Sequence, residues 1–221
     1  MSLRPIDTFK SEVLALWYLR LNGVFTIPNF VLHPARRGSA RTDADIAGVR
    51  YPFRAEFGGP PQLDDEWFEA QPVKPLALLA EVKTGDCAIN GPWSSTAARN
   101  VEQVLSDLGW YPQDEIPAAA RALYESGRYE GTSLLCSLFC VGNSPSVAIQ
   151  EQYPLVPQRT WSGIINWICD RFDRYRRLKT DHDQWDEAGR AIWSDFDRSR
   201  GSTGLFEETI RRRFMLPPSA V

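Results

Sequence analysis

The run Leu76-Ala77-Leu78-Leu79-Ala80-Glu81-Val82-Lys83 constrains the fold more than any other stretch of this chain. Its apolar residues are continuous until the charged end, with neither helical spacing nor strict alternation. Such a pattern suits a central strand buried on both faces. A sheet containing that strand needs helices on both sides, so the chain reads as α/β. Residues 133–141 carry a second run of the same kind.

The other elements follow from periodicity and punctuation. Residues 11–22 read as a helix, with Ser11 to cap it and Asn22-Gly23 to stop it. Val24 to Leu32 reads as a strand, and Pro28 within it implies an edge position or a bulge. Arg36-Arg37-Gly38-Ser39-Ala40 reads as a loop, and Asp45 to Val49 as the next strand. Residues 51–75, with their prolines, glycines and the acidic Asp64-Asp65-Glu66, read as an insertion or lid. Val101, Val104, Leu105 and Leu108 recur at helical spacing, with Pro112 closing that helix, and a second helix is expected from about 118 to 125. Val147 to Gln150 reads as a short strand. Trp161, Ile164, Ile165, Ile168, Phe172 and Tyr175 mark a long amphipathic helix with Arg171, Arg174 and Arg177 on its opposite face. Helical pieces are expected near 184–198 and 204–214. The expected organisation is an α/β core over residues 1–150, with a helical extension over 151–221 packed on it.

Charge and cysteine content narrow the function classes. With 25 Lys and Arg against 28 Asp and Glu, a net charge of −3, the chain is not one that coats nucleic acid by bulk charge. A nucleic-acid enzyme with a local acidic centre stays open. Apolar runs such as Ser133 to Gly142 are too short to cross a bilayer, and Met1-Ser2-Leu3-Arg4-Pro5 lacks the apolar segment of a signal peptide. No membrane role is expected. Cys87, Cys136, Cys140 and Cys169 form no CxxC pair, and His33 and His182 lack metal-ligand spacing. Reduced thiols and a cytoplasmic location are the expectation.

One constellation carries chemistry. Glu81 and Lys83, two apart on a strand, project to the same face, and neither charge belongs in a buried strand without a partner. If Asp45 lies on the adjacent strand, two carboxylates and one ammonium meet at the sheet edge. Two carboxylates favour a hard divalent cation, Mg²⁺ or Mn²⁺, which polarises a phosphoryl oxygen and acidifies a bound water. Lys83 would orient that water or stabilise developing negative charge. These are the parts of a phosphodiester hydrolase. A salt bridge among the same residues is the purely structural alternative.

Asp45 followed by Glu81-x-Lys83 after an apolar run resembles the PD-(D/E)xK nuclease superfamily, which includes restriction endonucleases and Holliday-junction resolvases. The resemblance spans residues 11–142 in the order helix, strand, Asp strand, ExK strand, helix, strand. It implies a restriction-endonuclease-like core, α-β-β-β-α-β, with a mixed sheet flanked by helices and a helical C-terminal elaboration. By that resemblance Asp45 and Glu81 are metal ligands, Val82 lends its carbonyl, and Lys83 is the catalytic lysine. Glu12 matches the acidic residue on the first helix of resolvase-like members, and Gln103 a polar residue near the site. No proline precedes Asp45 in Thr42-Asp43-Ala44-Asp45, so Asp43 is an alternative ligand. The implied function is a Mg²⁺-dependent endonuclease acting on DNA, with duplex cutting favouring a homodimer. The alternative is a catalytically inactive nuclease-fold module that binds nucleic acid or a protein partner.

Further residues have paired readings. Trp93, in the loop Gly91-Pro92-Trp93-Ser94 just past Lys83, is placed where a substrate could reach it. Arg41, with Arg36 and Arg37, could contact phosphates. Gln103 reads more readily as a solvated helix residue. The Arg171 to Lys179 segment, with five basic residues against one acidic, and Arg211-Arg212-Arg213 are either solvated faces or phosphate-tracking patches.

Overall fold

Leu76–Val82 is buried at every position in the computed structural model, which describes residues 8–32, 42–55, 64–177 and 185–219. The run is the central strand, β3, of a six-stranded mixed sheet flanked by helices. β1 (Val24–Leu32) and β2 (Thr42–Arg50) form an antiparallel pair, and β2 pairs antiparallel with β3 from Arg50↔Leu76 to Ile46↔Ala80. On its other side β3 runs parallel to β5 (Leu135–Gly142), in register from Leu76↔Leu135 to Val82↔Val141. β4 (Arg128–Glu130) and β6 (Gln158–Thr160) share the far edge of β5, antiparallel beside its start and parallel beside its end.

Side-chain alternation on β3 divides the core into two layers. Leu76, Leu78, Ala80 and Val82 pack with α1 (Ser11–Leu21), α6 (Trp161–Tyr175), α7 (Glu187–Ser199) and α8 (Thr203–Arg213). Ala77 and Leu79 pack with α3 (Asn100–Leu108) and α4 (Ile116–Ser126). Burying a Leu, Ile or Phe side chain contributes about 1.5–3 kcal/mol. That burial, more than propensity, holds a helix as short as the nine-residue α3. No helix among the described residues is long and apolar enough to cross a membrane. All four cysteines are buried free thiols.

β1 is the edge strand that Pro28 implies, because a proline nitrogen has no hydrogen for a second neighbour. Several expectations change. β2 starts at Thr42, so Asp45 lies inside the strand instead of opening it. Gly109, at φ 65°, ends α3 in the left-handed conformation that glycine adopts freely, before Pro112 is reached. Residues 147–150 are helical, not extended: α5 (Val147–Gln152) is capped by the Ser146 hydroxyl, which accepts from the Ile149 N–H. The segment beyond residue 150 supplies a strand, β6, as well as helices. The 36–40 loop lies outside the described residues.

The 51–75 insertion is tied into the core where it is described. It contains α2 (Glu66–Glu69), and Asp64 pairs with Arg50 (2.6 Å), Arg54 (2.6 Å) and Arg171 (3.6 Å). Arg171 is 7% exposed and stacks over Trp167 and Tyr175, so it does not belong to a solvated basic face. Arg174 and Arg177 are exposed as expected. The 211–213 run divides likewise. Arg212 is exposed, whereas Arg211 and Arg213 are buried, Arg213 on the carboxylate of Asp195. Among the described residues, neither segment offers a continuous basic patch.

Candidate active site

The β1–β2 pairing is interrupted at Asp45. The β1 ladder pairs Pro28 with Ile46 and Phe30 with Ala44 but passes over Asn29, whose φ is +50°. On the other side the β3 ladder ends at Ile46↔Ala80. Asparagine tolerates the left-handed region better than most residues, so this kink falls on a residue suited to it. Where the ladder stops, the Asp45 carboxylate takes over: its Oδ2 accepts from the Val82 N–H at 2.7 Å. One aspartate thereby satisfies a strand-end donor while its charge sits where the β2–β3 ladder ends.

Glu81 continues the alternation of Ala77 and Leu79 and so projects to the α3/α4 face. It is only 3% exposed. Its Oε2 accepts from the Lys83 ammonium at 2.8 Å, and its Oε1 from the Trp93 indole N–H at 2.6 Å. Burial pushes the Glu81 pKa above the usual carboxylate value, more than the hydrogen bond and charge of Lys83 pull it down. The negative charge of Asp45 adds to the rise, and the Trp93 hydrogen bond opposes it. Lys83 Nζ lies 3.9 Å from Asp45 Oδ2, so one ammonium reaches both carboxylates. Asp45 and Lys83 are partly exposed and open the cluster to solvent.

The main chain at Lys83 is fixed from two directions. Its N–H donates to the Val141 carbonyl (2.9 Å), and its carbonyl accepts from the Trp161 indole N–H (3.0 Å). Gly142 then allows the outgoing chain to lie against the end of β5. A Cβ there would meet the Cys87 nitrogen at 2.5 Å and the Gly85 carbonyl at 2.8 Å. These contacts hold the lysine stem on elements of both core layers.

The structure thus brings Asp45, Glu81 and Lys83 together. Val82 sits between the last two and gives its N–H to Asp45. Glu12 is on the first turn of α1, in the layer behind the opposite face, with its carboxylate accepting from the Ser11 hydroxyl (3.3 Å). No group of three or more His, Cys, Asp or Glu side chains arranged for a metal occurs among the described residues. Gln103 is half-buried on α3, on the same side of the sheet as Glu81. Trp93 does not offer a stacking face. It is 1% exposed, and its ring is committed to the core with its N–H on Glu81. Arg41 and the Asp43 side chain lie outside the described ones.

Two tryptophans therefore brace the site, Trp93 through Glu81 and Trp161 through the Lys83 carbonyl. Both have helix-core or loop signatures in sequence, and only the fold shows where their N–H groups go. Trp93→Phe keeps most of the ring packing and removes one donor to a buried carboxylate. It is expected to cost about 1.5–3 kcal/mol, read by chemical denaturation, the range for a hydrogen bond to a charged group. An unchanged denaturation midpoint would mean that the indole N–H adds nothing to Glu81.

Comparison with protein-family models, curated proteins and solved structures finds no match to this chain.

Proposed function

We propose that this protein is a metal-dependent nuclease that hydrolyses phosphodiester bonds in DNA, built on a restriction-endonuclease-like core. The observation that carries the reading is the Lys83 ammonium held between the carboxylates of Asp45, inside β2, and Glu81, near the end of the neighbouring β3. The order of α1, β1, β2, β3, α3 and β5, with β1–β2–β3 antiparallel and β5 parallel to β3, supports the core assignment.

The donor chemistry fits Mg²⁺ or Mn²⁺. Both protein ligands are hard carboxylate oxygens, and Mg²⁺ in phosphate chemistry takes one or two carboxylates and fills its shell with water and substrate. Asp45 and Glu81 would hold the cation, with the Val82 carbonyl as the family resemblance implies. When bound, it supplies Lewis-acid polarisation of a phosphoryl oxygen and a water of lowered pKa. The chain's own residues do the rest. Lys83 leaves Glu81 Oε2 to orient the attacking water or to meet charge developing on the phosphoryl oxygens. Trp93 keeps Glu81 Oε1 in place during that change, so the carboxylate stays aimed. The Trp161 contact holds the backbone from which Lys83 extends.

One observation favours the second reading, an inactive nuclease-fold module. Lys83 and Trp93 already satisfy both oxygens of Glu81, as a structural ion pair would. Plasmid, single-stranded DNA and RNA incubated with Mg²⁺, Mn²⁺ or chelator separate the two. Cleavage of DNA that needs the cation is expected. Cleavage that persists in chelator, or none with either cation, counts against the metal-dependent nuclease.

A further inference from the structure

A groove of about 910 Å³ runs along β1 and β2, lined by Phe25, Ile27, Val49, Tyr51, Phe53 and Trp110. Phe25, Tyr51 and Phe53 are 72%, 57% and 83% exposed, a concentration of open rings that a surface of mixed charge does not require. The groove wraps the edge strand β1, with Val49 and Trp110 in the layer of the carboxylates and Val24 and the α1 residue Arg20 on the other side of the sheet. Phe25 pairs with Val49 and Ile27 with Ala47, and both Ala47 and Val49 belong to the α3/α4 layer toward which Glu81 projects. Along β2, Val49 is four residues from Asp45, about 13 Å of strand. Arg20 and Arg54 border the groove, Arg54 with its charge already met by Asp64 at 2.6 Å. Arg20 gives one N–H to Asp186 at 3.1 Å and its Nε–H to the Thr26 hydroxyl at 3.4 Å, and a guanidinium has five N–H donors, so these two acceptors do not exhaust it.

The occupant can be argued from the edge strand. A docking β-strand needs a regular row of backbone donors and acceptors. Pro28 removes a donor from β1, and Asn29 kinks it at φ +50°. What the groove does present is open aromatic rings, Phe25 and Tyr51 edge to face at 6.0 Å, with two arginines at its border. Unpaired bases match that surface, since each has a π-face to stack on an aromatic ring, whereas a duplex keeps those faces in its own stack.

We propose that the groove seats a single-stranded polynucleotide, with bases stacked on Phe25, Tyr51 and Phe53 and its backbone continuing toward Asp45, Glu81 and Lys83. This rests on the nuclease reading and goes beyond it by naming the strand form of the substrate. It is tested by binding in chelator, apart from cleavage. Fluorescence anisotropy is recorded with labelled oligo-dT, oligo-rU and a DNA duplex, for wild type, Phe25→Ala, Phe53→Ala, Phe53→Trp and Lys83→Ala. The alanine variants alter exposed rings, and circular dichroism checks that each is folded. Wild type is expected to bind a single strand more tightly than the duplex. Each alanine variant should weaken that binding about tenfold, in line with stacking lost from one base. Phe53→Trp should retain it. If Lys83→Ala and wild type both bind the strand but neither cleaves it with Mg²⁺, the groove stands and the nuclease reading falls. If wild type cleaves DNA while the alanine variants bind single strands as wild type does, the groove proposal is overturned and the nuclease reading stands. Preference for the duplex, no binding of either oligonucleotide, or a self-association that Phe53→Ala abolishes in place of strand binding also overturns it. Oligo-dT against oligo-rU tells which polynucleotide fits.

Discussion

Glu81→Gln is expected to reduce cleavage about a thousandfold or more while leaving the protein as stable as wild type at neutral pH, or more so. The loss of rate follows from removing one of two carboxylates that would hold the cation, whose stabilisation of transition-state charge is worth several kcal/mol. The stability follows from burial. The carboxylate is 3% exposed, and desolvation raises its pKa despite the Lys83 ammonium at 2.8 Å. A carboxamide keeps the shape and keeps an oxygen for the Trp93 N–H. A group whose folded pKa is raised contributes stability below its unfolded pKa and loses that contribution as pH rises through the folded value. Wild type should therefore lose stability relative to Glu81→Gln as pH rises from the ordinary carboxylate pKa through the raised one, and the difference should level off above it. Thermal melts in chelator from acidic to neutral pH measure this. A Gln variant several kcal/mol less stable at neutral pH would instead identify Glu81 as a structural ion-pair member.

The second large effect is on the fold. Asp64→Asn is expected to destabilise the protein by about 3–5 kcal/mol, the range for breaking a buried ion pair. That corresponds to a melting temperature lower by roughly 6–20 °C for a chain of this size. Asp64 is the carboxylate on which Arg50, Arg54 and Arg171 converge, and its side chain is 4% exposed. Arg50 also donates to the Asn22 carbonyl at 2.9 Å, so the cluster links the end of β2, the end of α1, the 51–75 segment and α6. A melting temperature within a degree or so of wild type would show that the three guanidinium groups are held well enough without that charge.

Asp64 also marks the limit of what the sequence discloses. An acidic stretch among prolines and glycines reads as an insertion or lid, because nothing local shows that the nearby Arg50 and Arg54 and the distant Arg171 close over it. Arg171 is hidden for the same reason: helical periodicity assigns a charged residue to the polar face, and only the cation–π contacts with Trp167 and Tyr175 and the Asp64 pair explain its burial. β3 and α6 were legible because their apolar patterns bury whole faces, a local property of the chain. α5 was not, since Val147 and Ile149 favour a strand while the Ser146 cap and the packing of Ile149 decide for a helix. At the site, the approach of Glu81 to Lys83 follows from strand alternation, and that of Asp45 from placing its strand next to theirs. The break in the β2 ladder and the two indole contacts depend on register and long-range packing, which no spacing encodes.

The most direct test of the account is single-turnover cleavage of DNA with Mg²⁺ or Mn²⁺ by wild type, Lys83→Ala and Asp45→Ala, each shown to be folded. The expected result is cation-dependent cleavage by wild type and a loss of about a hundredfold or more in each variant, the scale of removing one group that stabilises transition-state charge. Cleavage at the wild-type rate by both variants would contradict the assignment of this cluster as the catalytic site.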